Sequence, residues 1–378
     1  MGELAQVENL SFDQKHLRIH WADDHTSVYD ALWLRDNCPA DRDARNGQRL
    51  IDIADLPADP SIGAVSHNSD SAILITWSGE PKSSWFPLAW LRDQCYCDAH
   101  RLSRNRPPVL WQADRNSEFL WMDYHGVLDS RQARAQWLRA LADYGIAFLR
   151  GVPCQDGQVL EVARLIGYVR ETNYGKVFDV RSVPNPNNLA YSDLALGLHT
   201  DNPYRDPVPG LQILHCIQAS DEGGDSLFAD GFGLARHLTT QQPEAFEILS
   251  RVPAPFIFCD DSAQLRAERC LLELSASGEL AAVHYNNRSI APLCLPPEEL
   301  IAFYRAYRAF ALLLRAPQFA FRIKLQNGDL VAFNNRRVLH GRTAFAAAGP
   351  RWLQGCYVDS DGMLSNLAVL ETKRALSA

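Results

Sequence analysis

His199-Thr200-Asp201 constrains this chain more than any other stretch. Residues i and i+2 on an extended strand, or at its end, point to the same side, so this imidazole and carboxylate can reach one metal ion. A face of two imidazoles and one carboxylate needs a further histidine from elsewhere. The segment Asn335-Arg336-Arg337-Val338-Leu339-His340-Gly341-Arg342 offers His340, and Arg351 follows it by eleven residues. Any fold that uses these residues together must bring two distant segments side by side. Three ligands on one face leave the other face of an Fe(II) ion open for a bidentate keto acid and O2. His-x-Asp alone arises readily by chance, so the weight rests on what accompanies it.

Two features accompany it. Gly223-Gly224-Asp225-Ser226-Leu227-Phe228 follows the first ligands, and the Ser226 hydroxyl can bind a carboxylate. Arg351 is a forked, permanently charged donor suited to the distal carboxylate of 2-oxoglutarate. The balance of charge excludes other classes: 37 basic against 45 acidic residues give a net charge of -8, which disfavours nucleic acid or an anionic membrane as main partner. No stretch approaches the apolar length of a membrane span, and the N-terminus carries Glu3 and Glu8 with no hydrophobic signal core. Nine scattered cysteines read as reduced thiols, which makes the cytoplasm the expected location.

The basic, proline-closed stretch from Arg101 to Pro108 reads as a linker, dividing the chain into 1–105 and 106–378. Before it, short strand-like runs such as Ile73–Trp77 alternate with turn residues. Trp33-Leu34-Arg35-Asp36-Asn37-Cys38 is echoed by Trp90-Leu91-Arg92-Asp93-Gln94-Cys95, which predicts two similar turn-helix corners in one small β-rich domain. After the linker, Ser130 caps a predicted helix whose Trp137, Leu138, Leu141 and Tyr144 share a face and which Gly145 ends; Ile146–Leu149 then reads as a buried strand. Pro297-Glu298-Glu299 opens a second helix with an aromatic stripe running to Leu314. Strands are expected at Leu211–Ile217, Phe256–Cys259, Ala281–Tyr285, Phe321–Leu325, Leu330–Phe333 and Leu353–Val358, giving a mainly β fold with flanking helices. His215 and His284 sit on apolar runs and read as core residues.

His199-x-Asp201, the Gly-Gly-Asp-Ser turn, then His340 with Arg351, in that order and spacing, resemble the taurine-dioxygenase-like branch of the Fe(II)/2-oxoglutarate oxygenases. Within it, Asn187–Tyr191, Leu198–Asp201, Leu211–Cys216 and Trp33–Pro39 are similar to the gamma-butyrobetaine dioxygenases, and the resemblance spans nearly the whole chain. It implies a double-stranded β-helix, or jelly roll, with the metal in its open mouth, and a small N-terminal domain that packs across a homodimer. It implies Fe(II) on His199, Asp201 and His340, with 2-oxoglutarate on Arg351 and Ser226.

The family carries a structural zinc in its N-terminal domain, on a Cys-x-Cys-x-x-Cys run and a later histidine. Here the run starts at Cys38, but Ala40 and Asp43 replace the other thiolates, and Gly79–Ser84 holds no histidine. The family zinc is therefore expected to be absent. An alternative set, Cys95, Cys97 and His100 joining Cys38, stays open. The family's substrate pocket is an aromatic cage for a trimethylammonium group. The positions that match it here are Tyr174, Phe178, Tyr191 and Tyr357, with Tyr204 as an added face. Asn188 and Asn287 match the residues that face the substrate's anion. Arg288, if it points inward, favours a phosphonate, so the first expectation is hydroxylation of 2-(trimethylammonio)ethylphosphonate next to phosphorus. The alternatives are gamma-butyrobetaine, giving carnitine, and a non-catalytic jelly roll that binds betaines.

Overall fold

The computed structural model describes residues 6–69, 71–104, 106–113, 120–181, 194–345 and 351–372, and in it the echo between Trp33 and Trp90 is structural. β1 (Val7–Phe12), β2 (His16–Trp21) and β3 (Thr26–Asp30) form a three-stranded antiparallel sheet that runs into α1 (Ala31–Asp36). β4 (Ile62–Ser69), β5 (Ala72–Trp77) and β6 (Ser83–Pro87) do the same and run into α2 (Leu88–Asp93). Alternation buries Leu17, Ile19 and Trp21 on β2 and Ile73, Ile75 and Trp77 on β5. Each buried indole donates to a serine of the same sheet, Trp21 to Ser27 at 2.9 Å and Trp77 to Ser84 at 2.8 Å. Trp33 and Trp90 stack with ring centroids 5.6 Å apart.

α3 (Asp98–Arg104) takes in the first residues of the stretch that reads as a linker, with Asp98 in its first turn. The chain separates into Met1–Arg106 and Pro107–Ala378.

In the second unit come β7 (Trp121–Asp123), α4 (Tyr124–Asp129), α5 (Arg131–Tyr144), β8 (Ile146–Arg150), α6 (Gln158–Ile166), β9 (Val169–Arg170), β10 (Phe178–Val180) and β11 (Leu196–His199). β12 (Leu211–Gln218), β13 (Ser226–Asp230), α7 (Gly231–Gln241), α8 (Pro243–Arg251), β14 (Ala254–Cys259), β15 (Gln264–Arg269), β16 (Leu272–Leu274) and β17 (Leu280–Val283) follow. The unit closes with α9 (Pro297–Leu313), β18 (Ala320–Ile323), β19 (Leu330–Asn334), β20 (Val338–Arg342), β21 (Trp352–Val358) and α10 (Ser360–Glu371). One sheet has the order β10-β21-β12-β19-β8-β7, with β9 also on β21; the other has the order β11-β20-β13-β18. This is the jelly roll the resemblance implies. Phe148 and Phe333 of the larger sheet meet Phe228 of the smaller one, at centroid distances of 5.9 and 5.6 Å.

α5 forms as read: Ser130 accepts from Ala133 N at 3.2 Å, and Gly145 ends the helix at φ 74°. Its Trp137, Leu138 and Leu141 join Val162, Ile166 and Leu367 in covering the larger sheet. α9 starts at Pro297 as expected, but its apolar stripe is narrower than read, with Phe303 and Phe310 buried and Tyr304 exposed. β17 stops at Val283, short of the expected Tyr285, because the Tyr285 backbone is committed to Thr200.

Candidate active site

His199 ends β11 and His340 lies in β20, and the register sets them directly opposite. Their ring centroids are 4.3 Å apart. His199 Nε2 is 3.2 Å from Asp201 Oδ1, and His340 Nε2 is 3.9 Å from Asp201 Oδ2. One ligand atom from each of the three lies within 4.8 Å of the others. His199 Nδ1 lies 2.9 Å from the Gly197 carbonyl, a contact that puts its proton on Nδ1. Two imidazole nitrogens and a carboxylate that converge on one point are a donor set that fits Fe(II).

The backbone around the ligands is fixed from two sides. Asn335, fully buried, accepts from Asp201 N at 2.6 Å and donates to Asp201 O at 2.9 Å and Pro209 O at 3.1 Å. Thr200 N donates to Tyr285 O at 2.7 Å, Thr200 Oγ1 accepts from Tyr285 N at 3.0 Å, and Asn286 Nδ2 donates to Thr200 O at 3.1 Å. Asn202 turns the chain away in the left-handed region, at φ 55°. Tyr357 donates its hydroxyl to Asp201 Oδ2 at 2.8 Å. Burial pushes the Asp201 carboxyl up, but the His340 and His199 imidazoles and the Tyr357 hydroxyl outweigh it and hold it well below the usual carboxylate range. Burial, with His199 beside it, pushes His340 down to about 3, so the ring is neutral as a ligand must be.

The three residues open on a cavity of about 410 Å³, the size of a small-molecule pocket. At one end stand Ser226 of β13, Arg342 of β20 and Arg351, which directly precedes β21. Arg351 is 8% exposed, its Nη1 has no hydrogen-bond partner, and among the described residues no acid pairs with it. A buried cation with a donor to spare fits the distal carboxylate of 2-oxoglutarate. Arg342 was not singled out in the sequence, although its i+2 spacing from His340 puts it on the same strand face.

Tyr174, Phe178, Tyr204 and Tyr357 all line the cavity. Phe258 of β14 joins them, stacked on Tyr204 at 5.2 Å and edge-on to Tyr174 at 5.9 Å. Nothing in the apolar run around Phe258 marked it, because the run reads equally well as core. Tyr191 and Asn188 lie outside the described residues. Asn287 does not line the cavity: it is exposed and accepts from the Tyr307 hydroxyl at 2.9 Å. Its neighbour Asn286 lines the wall instead, since one step in the turn after β17 reverses the side. Arg288 lines the cavity within the field of Asp201, while part of the residue stays open to solvent.

His215 and His284 are buried outside the metal site, His284 against Glu273 at 2.7 Å. Three residues of the alternative zinc set left open by the sequence, Cys95, Cys97 and His100, do come together, with His25 in the place expected of Cys38. Among the described residues His25, Cys95, Cys97 and His100 bring four metal-ligating atoms within 4.8 Å. Cys38 is not among them and lies in the apolar core of its unit. The fourth ligand comes from the β2–β3 turn, which sequence distance concealed.

The family described as Taurine catabolism dioxygenase TauD, TfdA matches residues 111–357, and the one described as Gamma-butyrobetaine hydroxylase-like, N-terminal, matches residues 8–92. The gamma-butyrobetaine dioxygenase of Pseudomonas sp. (strain AK-1) is 36% identical over 93% of both chains. The human gamma-butyrobetaine dioxygenase is 32% identical over 96% of both chains. The mitochondrial trimethyllysine dioxygenase of Rattus norvegicus is 30% identical over 94% of this chain and 86% of its own. Because the matched stretch takes in the opposed histidines, their aspartate and the buried arginine together, the chain belongs to the TauD, TfdA family, in its gamma-butyrobetaine dioxygenase-like branch, and is an Fe(II)/2-oxoglutarate-dependent dioxygenase.

Proposed function

We propose that the enzyme hydroxylates a methylene of a small trimethylammonium carboxylate, with gamma-butyrobetaine as substrate and carnitine as product. The observation that carries this reading is the aromatic lining of the cavity: Tyr174, Phe178, Tyr204 and Phe258 stand on the same wall system as the metal ligands. Ring faces attract a cation that has no hydrogen to donate. Two relatives named for gamma-butyrobetaine and one for trimethyllysine support it. This order reverses the one drawn from Arg288 alone.

His199, Asp201 and His340 would hold Fe(II), and Arg351 with Ser226 would hold 2-oxoglutarate. Iron bound there would supply the O2 activation that accompanies decarboxylation of 2-oxoglutarate. Tyr357 keeps the Asp201 carboxylate turned toward the metal through its hydrogen bond. The aromatic faces take the cation, and the distance from them to the anion's partner sets which methylene lies over the metal. Asn286 already spends its amide oxygen and one N–H on Arg288 N and Thr200 O, and Arg288 is the cation beside it, so Arg288 is the partner we assign.

Arg288 also favours a second reading, a trimethylammonium phosphonate, because a guanidinium matches a doubly charged anion at least as well as a carboxylate. Comparing kcat/KM for gamma-butyrobetaine, 2-(trimethylammonio)ethylphosphonate and 4-aminobutyrate, with product analysis, separates the two. Gamma-butyrobetaine should lead, and the primary amine should fall by about tenfold or more as cation–π stabilisation is lost. A preference for the phosphonate that Arg288→Thr abolishes would install the second reading. The cytoplasm and a homodimer belong to the same proposal. The first is supported by nine cysteines outside any disulfide and the second by the family resemblance. No helix among the described residues is long and apolar enough to cross a membrane. Light scattering on the purified protein tests the dimer.

A further inference from the structure

Of the family's zinc ligands only Cys38 remains, and ion pairs join the segments that would carry the others. Arg35 donates to Asp41 at 2.7 Å and to Glu80 at 3.0 Å, and Lys82 also pairs with Asp41. The second repeat has gained what the first has lost. Cys95 stands in the echo where Cys38 stands in the first copy, and both are buried. After Cys95 come Cys97 and, in the first turn of α3, His100.

We infer that the N-terminal unit holds a structural zinc ion on His25 Nε2, Cys95 Sγ, Cys97 Sγ and His100 Nδ1, a site built on the second repeat. His25 Nε2 lies 3.3 Å from Cys95 Sγ and 4.0 Å from Cys97 Sγ, and His100 Nδ1 lies 3.2 Å from Cys97 Sγ. A tetrahedral zinc with bonds of about 2.3 Å to sulfur and 2.0–2.1 Å to nitrogen separates its ligand atoms by roughly 3.3–3.8 Å. A single nitrogen near two sulfurs cannot give its one proton to both, whereas a central cation satisfies all four atoms together.

The scaffold around the ligands is set in advance. Tyr96, between the two cysteines, accepts from Asp30 N at 2.8 Å, which fixes the loop against the end of β3. Arg92 donates to Asp23 at 2.6 Å, tying α2 to the β2–β3 turn that carries His25. Two thiolates balance the charge of Zn(II). Binding forms two S–Zn and two N–Zn bonds and releases the thiol protons to solvent, with no change of oxidation state. Two sulfurs select zinc over the harder cations. The ion would pin a turn and a loop far apart in sequence, in a unit small enough to need such a tie.

The full-length protein, stripped of metal and reduced, is titrated with Co(II) as a spectroscopic probe and with Zn(II) for affinity. The expected result is a sulfur-to-cobalt charge-transfer band with the strong visible bands of a tetrahedral thiolate site, saturating at one equivalent. The dioxygenase triad, which has no sulfur, gives neither. Cys97→Ser and His100→Ala should each weaken zinc binding by about a hundredfold or more. Circular dichroism of each variant guards against simple misfolding. Absence of the thiolate band in folded wild-type protein would overturn the site, as would a band that persists in both variants.

Discussion

A guanidinium taken out of water with no carboxylate beside it costs free energy that a fold recovers only when a ligand arrives. Arg351 is in that position, and burial pushes its pKa down. Arg351→Ala should therefore raise the KM for 2-oxoglutarate by about tenfold to a hundredfold, the worth of a charge-assisted pair in a desolvated site, while metal binding is unchanged. Measuring 2-oxoglutarate dependence beside iron affinity checks this, and an unchanged KM would assign the job to another cation. Gly224 is part of the same device: at φ 68° its backbone passes so close that a Cβ would stand 2.7 Å from Ser220 Oγ and 3.1 Å from Arg351 Nε. His199, Asp201, His340 and Arg351, which all line the cavity, were legible in the sequence because their chemistry is specific to residue type and each falls close in the chain to another of the four. Asn286, Phe258 and the His25 ligand were not. Each depends on which way one residue turns, or on a contact between segments with no sequence link.

At the scale of elements, the periods of two and 3.6 placed α5, β8, β12, α9, β19 and β21 to within a residue or so, since each has a face that must be buried. β13 was missed because the glycines ahead of Ser226 read as a turn and hid the strand behind them. What no periodicity showed is how β10 and β21 share space. Phe178 pairs with Gly355, and a Cβ on that glycine would stand 2.4 Å from the Phe178 ring. The ring that forms a cavity wall therefore lies over bare backbone. Gly355→Ala should push Phe178 into the cavity at a cost of roughly 1–3 kcal/mol. Its signature is a rise in KM for the trimethylammonium substrate with the 2-oxoglutarate KM held, which steady-state kinetics in both substrates will show. Equal rises in both would mean that β21 as a whole has moved, carrying Arg351 with it.

For the catalytic unit as a whole, the smaller sheet is tied to its surroundings by a buried charge pair that does not line the cavity. Arg337, 2% exposed in its side chain, donates through Nε and Nη2 to the two oxygens of Asp230, which is fully buried, each at 2.9 Å. Two further N–H groups reach Asp143 O at 2.8 Å and Val109 O at 2.7 Å. One side chain thus ties the start of β20 to the end of β13, the last turn of α5 and the segment that enters the unit. Four of the five guanidinium N–H groups are engaged and the carboxylate is held bidentately, the condition under which a buried ion pair holds its place. Arg337→Met keeps much of the volume but strands the Asp230 carboxylate. It should destabilise the unit by roughly 3–5 kcal/mol in urea unfolding, whereas Arg337→Met with Asp230→Leu should recover a large part of that loss. The stretch from Arg337 to His340 is short, so residual folded protein should also bind iron more weakly. A double variant no more stable than the single one would mean that the stability lies in the two carbonyls Arg337 holds and in the Phe232 and Trp111 N–H groups Asp230 accepts, rather than in the ion pair.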